Sequence, residues 1–407
     1  MKQTQTKVFE FSDTGLDFCS GSKNLFPDRF KKMLALGFNE QTVSSVTVLG
    51  SEVTLTYAAA HGYVADRVLK VDSGDLAAIN GGEFWIDSIT TNTVTFTLDE
   101  IIPPVSGGFT TRSASLGWDL VYENGSVHIY RFKHIDETYR YIRLLFNNLL
   151  YSYSTKNFIT PCVGKTYDPV TGFIDDSSAY RANAQATAWE ASHKWLFEAN
   201  YSKTHDNSNY TQGFNTFGRG VIIGSQYHLV IMHNTGNNAY QKSIGAVLPT
   251  YTFNYEVLDY PFLMAPWQNV AIGGSGNADY LIYTTNAIGV LGNYRITFER
   301  GSATTTELVA PTAVQSVLPS EIDSFNTTTA SLMHLYDLNT KQLLGVVTGG
   351  LYLCQFSSTN TPSDAYNLTP SVHYDADTFV MMYLHPICRT TSAKVYFAAP
   401  IEEVKVG

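Results

Sequence analysis

The chain is poor in charge. Of its 407 residues only 15% are Asp, Glu, Lys or Arg, against roughly 25% in an average soluble protein. Acids outnumber bases, 36 to 26, for a net charge of −10, and the Lys and Arg residues form no cluster. That excludes a phosphate-backbone binder, because such binding depends on grouped cations displacing counterions; no nucleic-acid partner is expected. Cysteine is scarce. Cys19, Cys162, Cys354 and Cys388 lie far apart, without paired metal-ligand spacing, so free thiols packed as small apolar groups are expected and no metal or cofactor is implied. No apolar run reaches the roughly 20 residues needed to span a bilayer, and the opening MKQTQTKVFEF has no apolar core of a secretory signal. Neither membrane insertion nor export is expected. Internal repeats and coiled-coil heptads are absent, which argues against a shaft or stalk. GGSGN at 273–277 fits neither a nucleophile elbow nor a phosphate loop.

What is abundant is aromatic, β-branched and small polar. Tyr numbers 26, Phe 23 and Trp 5, enough to fill β cores, stack on sugars or anchor protein interfaces. From Val43 to Thr111 the pattern is that of half-buried strands: Val46, Val48, Val53, Leu55 and Tyr57 alternate with Thr and Ser, Val68, Leu69 and Val71 form a second run, and Phe84, Ile86, Ile89, Val94, Phe96 and Leu98 resume the alternation. About five short strands are predicted. Asn80-Gly81-Gly82 supplies a turn where positive φ costs little, and His61-Gly62-Tyr63 marks a sharp reversal.

Elsewhere strands dominate, with predicted runs at 119–122, 127–132, 139–145, 220–233, 281–284, 293–299, 331–336, 342–347, 378–384 and 394–398. Two helices are expected. The first runs from Asn24 to Gly37, with Pro27 and Asp28 in its first turn, Phe26, Phe30, Met33 and Leu34 at helical spacing and Gly37 to end it. The second covers Ser178 to Phe197, on the Ala-rich AYRANAQATAWEASHKWLF with Ser178 as cap.

No catalytic constellation stands out. Glu83 and Asp87, four apart on one strand, would lie about 13 Å apart at about 3.3 Å per residue, beyond the roughly 5–9.5 Å separating glycosidase carboxyls. Asp375 and Asp377 are closer, but sit where acids form solvated turns. His228 and His233 are an odd number apart in QYHLVIMHN and would point to opposite faces, each at an edge or interface rather than on one metal. The His61 ring is expected to hydrogen-bond local backbone. The chain is read as a non-enzyme.

One resemblance rests on order rather than on any single motif. The succession of a strand, His-Gly-Tyr, an apolar strand, NGGEF and SITTNTVTFT is similar to small β-modules inserted in virion proteins of tailed bacteriophages. Its flanks, KVFEFSDTGLDFCSGSKNLFPDRFKKMLALGFN before and LGWDLVYENGSVHIYRF with YRYIRL after, resemble one continuous N-terminal unit of such proteins. A fainter similarity extends through RGVIIGSQYHLVIMH and SIGAVLP.

The resemblance implies a mainly β chain. It would have a sandwich or barrel-like body built from residues 1–42 and 116–407, with 150–160 a second candidate boundary, a small all-β module inserted at 43–115, and one or two short helices. It also implies a structural component of the particle, in tail or baseplate, assembled in the host cytoplasm and held in symmetric multi-copy contact with other phage structural proteins. A head or collar decoration protein is the alternative within that class; a receptor-binding or glycan-degrading fibre component, meeting a host-surface glycan, is the alternative outside it. His61, Tyr63 and Trp85, at strand ends of the module, are the residues expected to face a neighbouring subunit.

Overall fold

A computed structural model describes residues 6–16, 26–150, 155–187, 192–197, 220–234, 242–268, 287–298, 329–355, 371–372, 381–388 and 394–401. The protein is mainly β, with few and short helices. Three sheets carry the fold.

The largest has fifteen strands. From its edge at Thr250–Thr252 it runs through Leu343–Val347, His334–Asp337, Tyr294–Thr297, Gly289–Leu291 and Phe262–Met264 to Lys242–Leu248, then on through Met381–Cys388 and Lys394–Pro400. Lys242–Leu248 also pairs with Leu229–Asn234, which pairs with Gly220–Gly224, which in turn pairs with Lys7–Glu10. The apolar run LVIM is buried on both faces, which is why it does not alternate with polar residues. Leu229 and Ile231 point into one core, Val230 and Met232 into the other. The second core gathers Phe262, Ile296, Leu335, Val347, Tyr383 and Phe397 from distant strands, so the sheet curls around it.

The first core is closed by a five-stranded antiparallel sheet, ordered Trp195–Leu196, Thr155–Gly164, Tyr139–Leu150, Val127–Lys133 and Asp119–Asn124. Its Tyr130, Phe132, Ile142, Leu144 and Ile159 pack against Ile222, Leu229 and Ile231 of the large sheet. This is a two-layer sandwich with one helix at its side.

That helix is the one predicted. Phe26–Lys31 is α-helical, Lys32–Leu36 widens into a π turn, and Gly37 at φ 76 stops it while its N–H returns to Lys32 O. Phe30, Met33 and Leu34 enter the first core. The second predicted helix is corrected: among the described residues of that stretch only Arg181–Ala184 is helical, and Ser192–His193 and Trp195–Leu196 are strands. Tertiary contacts override the alanine-rich propensity here. Asn183 Nδ2 donates to Pro161 O and His193 O, and the Trp195 indole donates to Met264 O, tying the segment to sheets. The run predicted at 220–233 is a hairpin, turned at Ser225, whose hydroxyl receives the Tyr227 N–H and meets His228 Nδ1. The strand predicted at 281–284 lies outside the described residues.

The third sheet is seven-stranded and drawn from residues 38–113. Its order is Glu83–Trp85, Val68–Val71, Thr110–Ser113, Phe38–Leu49, Glu52–Tyr57, Thr93–Thr97 and Ser88–Ile89. Val43, Val53, Leu55, Leu69, Val71, Phe84, Ile86, Val94 and Phe96 form its separate core, nearly the set read from period-2 alternation. Phe38–Leu49 is one continuous strand that crosses position 42/43 without a break. Asn80, Gly81 and Gly82 all take positive φ, as the turn chemistry required.

Candidate interaction surface

The three residues expected on projecting edges are buried inside this chain. His61 is 2% exposed, Tyr63 4% and Trp85 5%. His61 Nε2 lies 2.9 Å from Thr90 O and 3.1 Å from Thr93 O, and Nδ1 accepts the Tyr63 N–H, so its ring does bind local backbone. The Tyr63 hydroxyl donates to Asn39 O, and Tyr63 and Tyr57 both meet the Thr111 hydroxyl at 2.9 Å. Only the turn tips Gly62 and Gly81 are exposed. Gly62 itself abuts Thr14: a Cβ there would fall 2.8 Å from the Thr14 hydroxyl. Trp85 packs with Val68, Ala114 and Ile401. The outward placement is therefore corrected. His61 and Tyr63 are held inside the 38–113 unit itself, while Gly62 against Thr14 and Trp85 beside Ile401 meet residues from the two ends of the chain.

Charge reinforces that junction. Arg67, 7% exposed, reaches Glu10 at 3.1 Å and Asp13 at 3.4 Å and hydrogen-bonds Tyr383, while Lys7 meets Glu83 at 2.8 Å. Burial pushes the Glu10 and Asp13 carboxyls above their ordinary range, with Arg67 pulling the other way; Arg67 stays charged although burial opposes it, because Asp13, Tyr383 and Glu10 favour the cation. Two carboxylates share one guanidinium, and desolvation of the pair outweighs it. The arrangement holds two sheets in a fixed relation.

The exposed apolar surface lies elsewhere. At the edge of the fifteen-stranded sheet Tyr251 is 71% exposed, Tyr255 65% and Phe253 49%. Register aligns Tyr251 with Val346, and Val346 with His334, in one row across three strands. Leu332, also exposed, leads into that row. Contiguous exposed aromatics of this kind mark binding surfaces more often than isolated ones do. Thr250, the buried residue of this strand, donates its hydroxyl to Tyr260 O, while the rings of Tyr251, Phe253 and Tyr255 remain open to solvent. The alternation in TYTFNYEV is the sequence signal for this face, and the strand predictions passed over it.

No catalytic grouping emerges among the described residues. Asp87 accepts from the Thr97 hydroxyl at 2.8 Å and Glu83 is committed to Lys7; Asp375 and Asp377 lie outside the described residues. His228 and His233 are not edge or interface residues: both are buried, His228 in the Ser225 turn and His233 stacked on Phe197 at 4.5 Å. Desolvation lowers the His228 pKa to about 3. No group of three or more His, Cys, Asp or Glu residues able to hold a metal occurs among the described residues. Cys162 and Cys354 are free buried thiols, each pushed up by burial to about 12. No described helix is long and apolar enough to cross a membrane.

No family model matches this chain, and no curated protein matches it. Among solved structures, one similar to this chain is a phage phi92 endosialidase, at 11% identity and a TM-score of 0.16, over 90% of this chain and 52% of that one. The chain thus spans about half the length of that structure.

Proposed function

We propose that this chain is a non-catalytic structural component of a tailed-phage particle, placed in the tail or baseplate and acting through contacts with neighbouring subunits in a symmetric, multi-copy assembly. The observation that carries the reading is the run of aromatics at Tyr251, Phe253 and Tyr255, on and just beyond the edge strand Thr250–Thr252, large side chains left open to solvent. Aromatic anchors are what a lasting protein interface uses. The order of motifs along 7–145 supplies the phage context. Within that class a head or collar position is the competing site.

The test is assembly. Substituting Tyr251→Ser with Tyr255→Ser should leave the melting temperature of the free chain within about 2 °C, because both rings already face water, while incorporation into particles falls at least tenfold. A particle reconstruction in which this face stays bare, or normal incorporation of the double variant, would overturn the reading. Exposed tyrosines also suit a sugar ring. If a glycan array shows binding that the same two substitutions abolish, the host-surface glycan becomes the partner and the chain a receptor-binding component.

A further inference from the structure

Arg143 is a buried cation without an anion. It lies within the strand Tyr139–Leu150, flanked in register by Ile129 and Cys162, and is 1% exposed. Its Nε donates to Gly172 O and its Nη2 to Ala186 O, both at 2.8 Å, and the guanidinium lies 5.4 Å from the centre of the Phe173 ring. Nη1 has no partner. The groups that bear on its charge are the Cys162 thiol and the Tyr122 phenol; neither is a carboxylate. Arg67, Arg140 and Lys7 are buried too, but each has an acid within 3.1 Å. An unpaired interior charge is costly unless something compensates it.

The elements beside Arg143 carry further unpaired groups. Thr160 stands opposite Leu145 on the neighbouring strand, two residues from Cys162 and so on the same face as Arg143. Its buried hydroxyl has no partner, and neither does Asn183 Oδ1, although Asn183 Nδ2 is fully engaged. The roof is built to hold its position. Asp168 accepts the Val170 N–H and the Thr171 hydroxyl, Gly172 N–H returns to Asp168 O, and the positive φ of Gly172 brings the backbone so close to Tyr122 that a Cβ would lie 2.3 Å from its ring.

We propose that Arg143 anchors a buried anion site that takes a small monoanion of the halide or formate class, with Nη1 and the Thr160 hydroxyl as donors and a companion water serving Asn183 Oδ1. The anion would neutralise the guanidinium and so lock the 165–186 segment onto the five-stranded sheet. This site is independent of the assembly reading.

Bromide is the probe. The full chain is melted in sodium bromide and in the sodium salt of a bulky buffer anion at equal ionic strength, alongside Arg143→Met and Arg143→Lys. In the wild type the melting temperature should rise by several degrees with bromide and saturate, as ligand linkage requires. Arg143→Met should show no saturable rise, and Arg143→Lys a weaker one. Crystals of the wild type in bromide should give an anomalous peak beside Nη1, a measurement that decides the matter even if a variant fails to fold. An equal response in wild type and Arg143→Met, no response in either, or ordered water with no anomalous peak at Nη1 would overturn the site.

Discussion

At the scale of single residues the chain's few charges matter because so many are interior. Arg67 serves Glu10 and Asp13 together, so Arg67→Met should destabilise by about 3–5 kcal/mol, the usual cost of stranding buried partners. Adding Glu10→Gln and Asp13→Asn should restore most of that loss; urea denaturation of the single and triple variants checks it. The buried histidines set the response to acid. Burial lowers His193 and His228 to about 3 and His128 to about 4. The unfolded chain takes up protons near pH 6.5 while the folded chain does not, so their contribution is complete above 6.5 and is lost as pH falls toward 3–4. His193 and His228 together should cost about 3 kcal/mol per pH unit in that window. Glu10 and Asp13, raised by burial, act oppositely: their stabilisation is present below pH 4 and lost as pH rises through their folded values. Stability of the Glu10→Gln, Asp13→Asn variant, which removes the opposing carboxyls, should fall from pH 7 to 5; a flat profile there would contradict the histidine assignment.

At the scale of elements, the helix at 26–36 shows how a local signal and a tertiary contact meet at one residue. Gly37 ends the helix at φ 76, and a Cβ there would sit 2.5 Å from Ser113 O. Gly37→Ala should cost about 1–3 kcal/mol, since strain at positive φ and the clash add; thermal melting would show it as a fall of several degrees. Ser178–Phe197 shows the opposite case. Its alanines favour helix, yet Asn183, His193 and Trp195 are each worth more as tertiary contacts than as helix surface. The edge strand at Thr250–Thr252 is a third kind, with alternation visible in TYTFNYEV but its exposure set by which strand lies beside it.

At the scale of the molecule, the 38–113 sheet has its own core and joins the rest through Lys7–Glu83, the Arg67 cluster and Trp85. We propose that 43–111 is separable, because Thr42 and Thr110 are direct cross-strand partners and its ends are therefore close. Replacing it with a short Gly/Ser linker should give a soluble remainder that melts cooperatively but at lower temperature, with Lys7, Glu10 and Asp13 left unpaired. Glu10→Gln with Asp13→Asn should raise that temperature again. Aggregation of both forms, by light scattering, would count against the boundary.

The sequence alone determined the β class, the strands of 43–98, the Asn80–Gly82 turn and the first helix, because alternation, turn residues and helix punctuation are local and short-range sterics read them directly. Only the tertiary structure decided where His61, Tyr63 and Trp85 point. A strand end reads the same whether it meets solvent, a neighbour or the chain's own interior, and the residues that cover these side chains, Thr90, Thr93 and Thr111 for His61 and Tyr63 and Ile401 for Trp85, are too far away in sequence to signal it. The same holds for Arg143 and for the Tyr251 face: burial and exposure belong to the packing of whole sheets, and one residue's neighbours in sequence do not carry them.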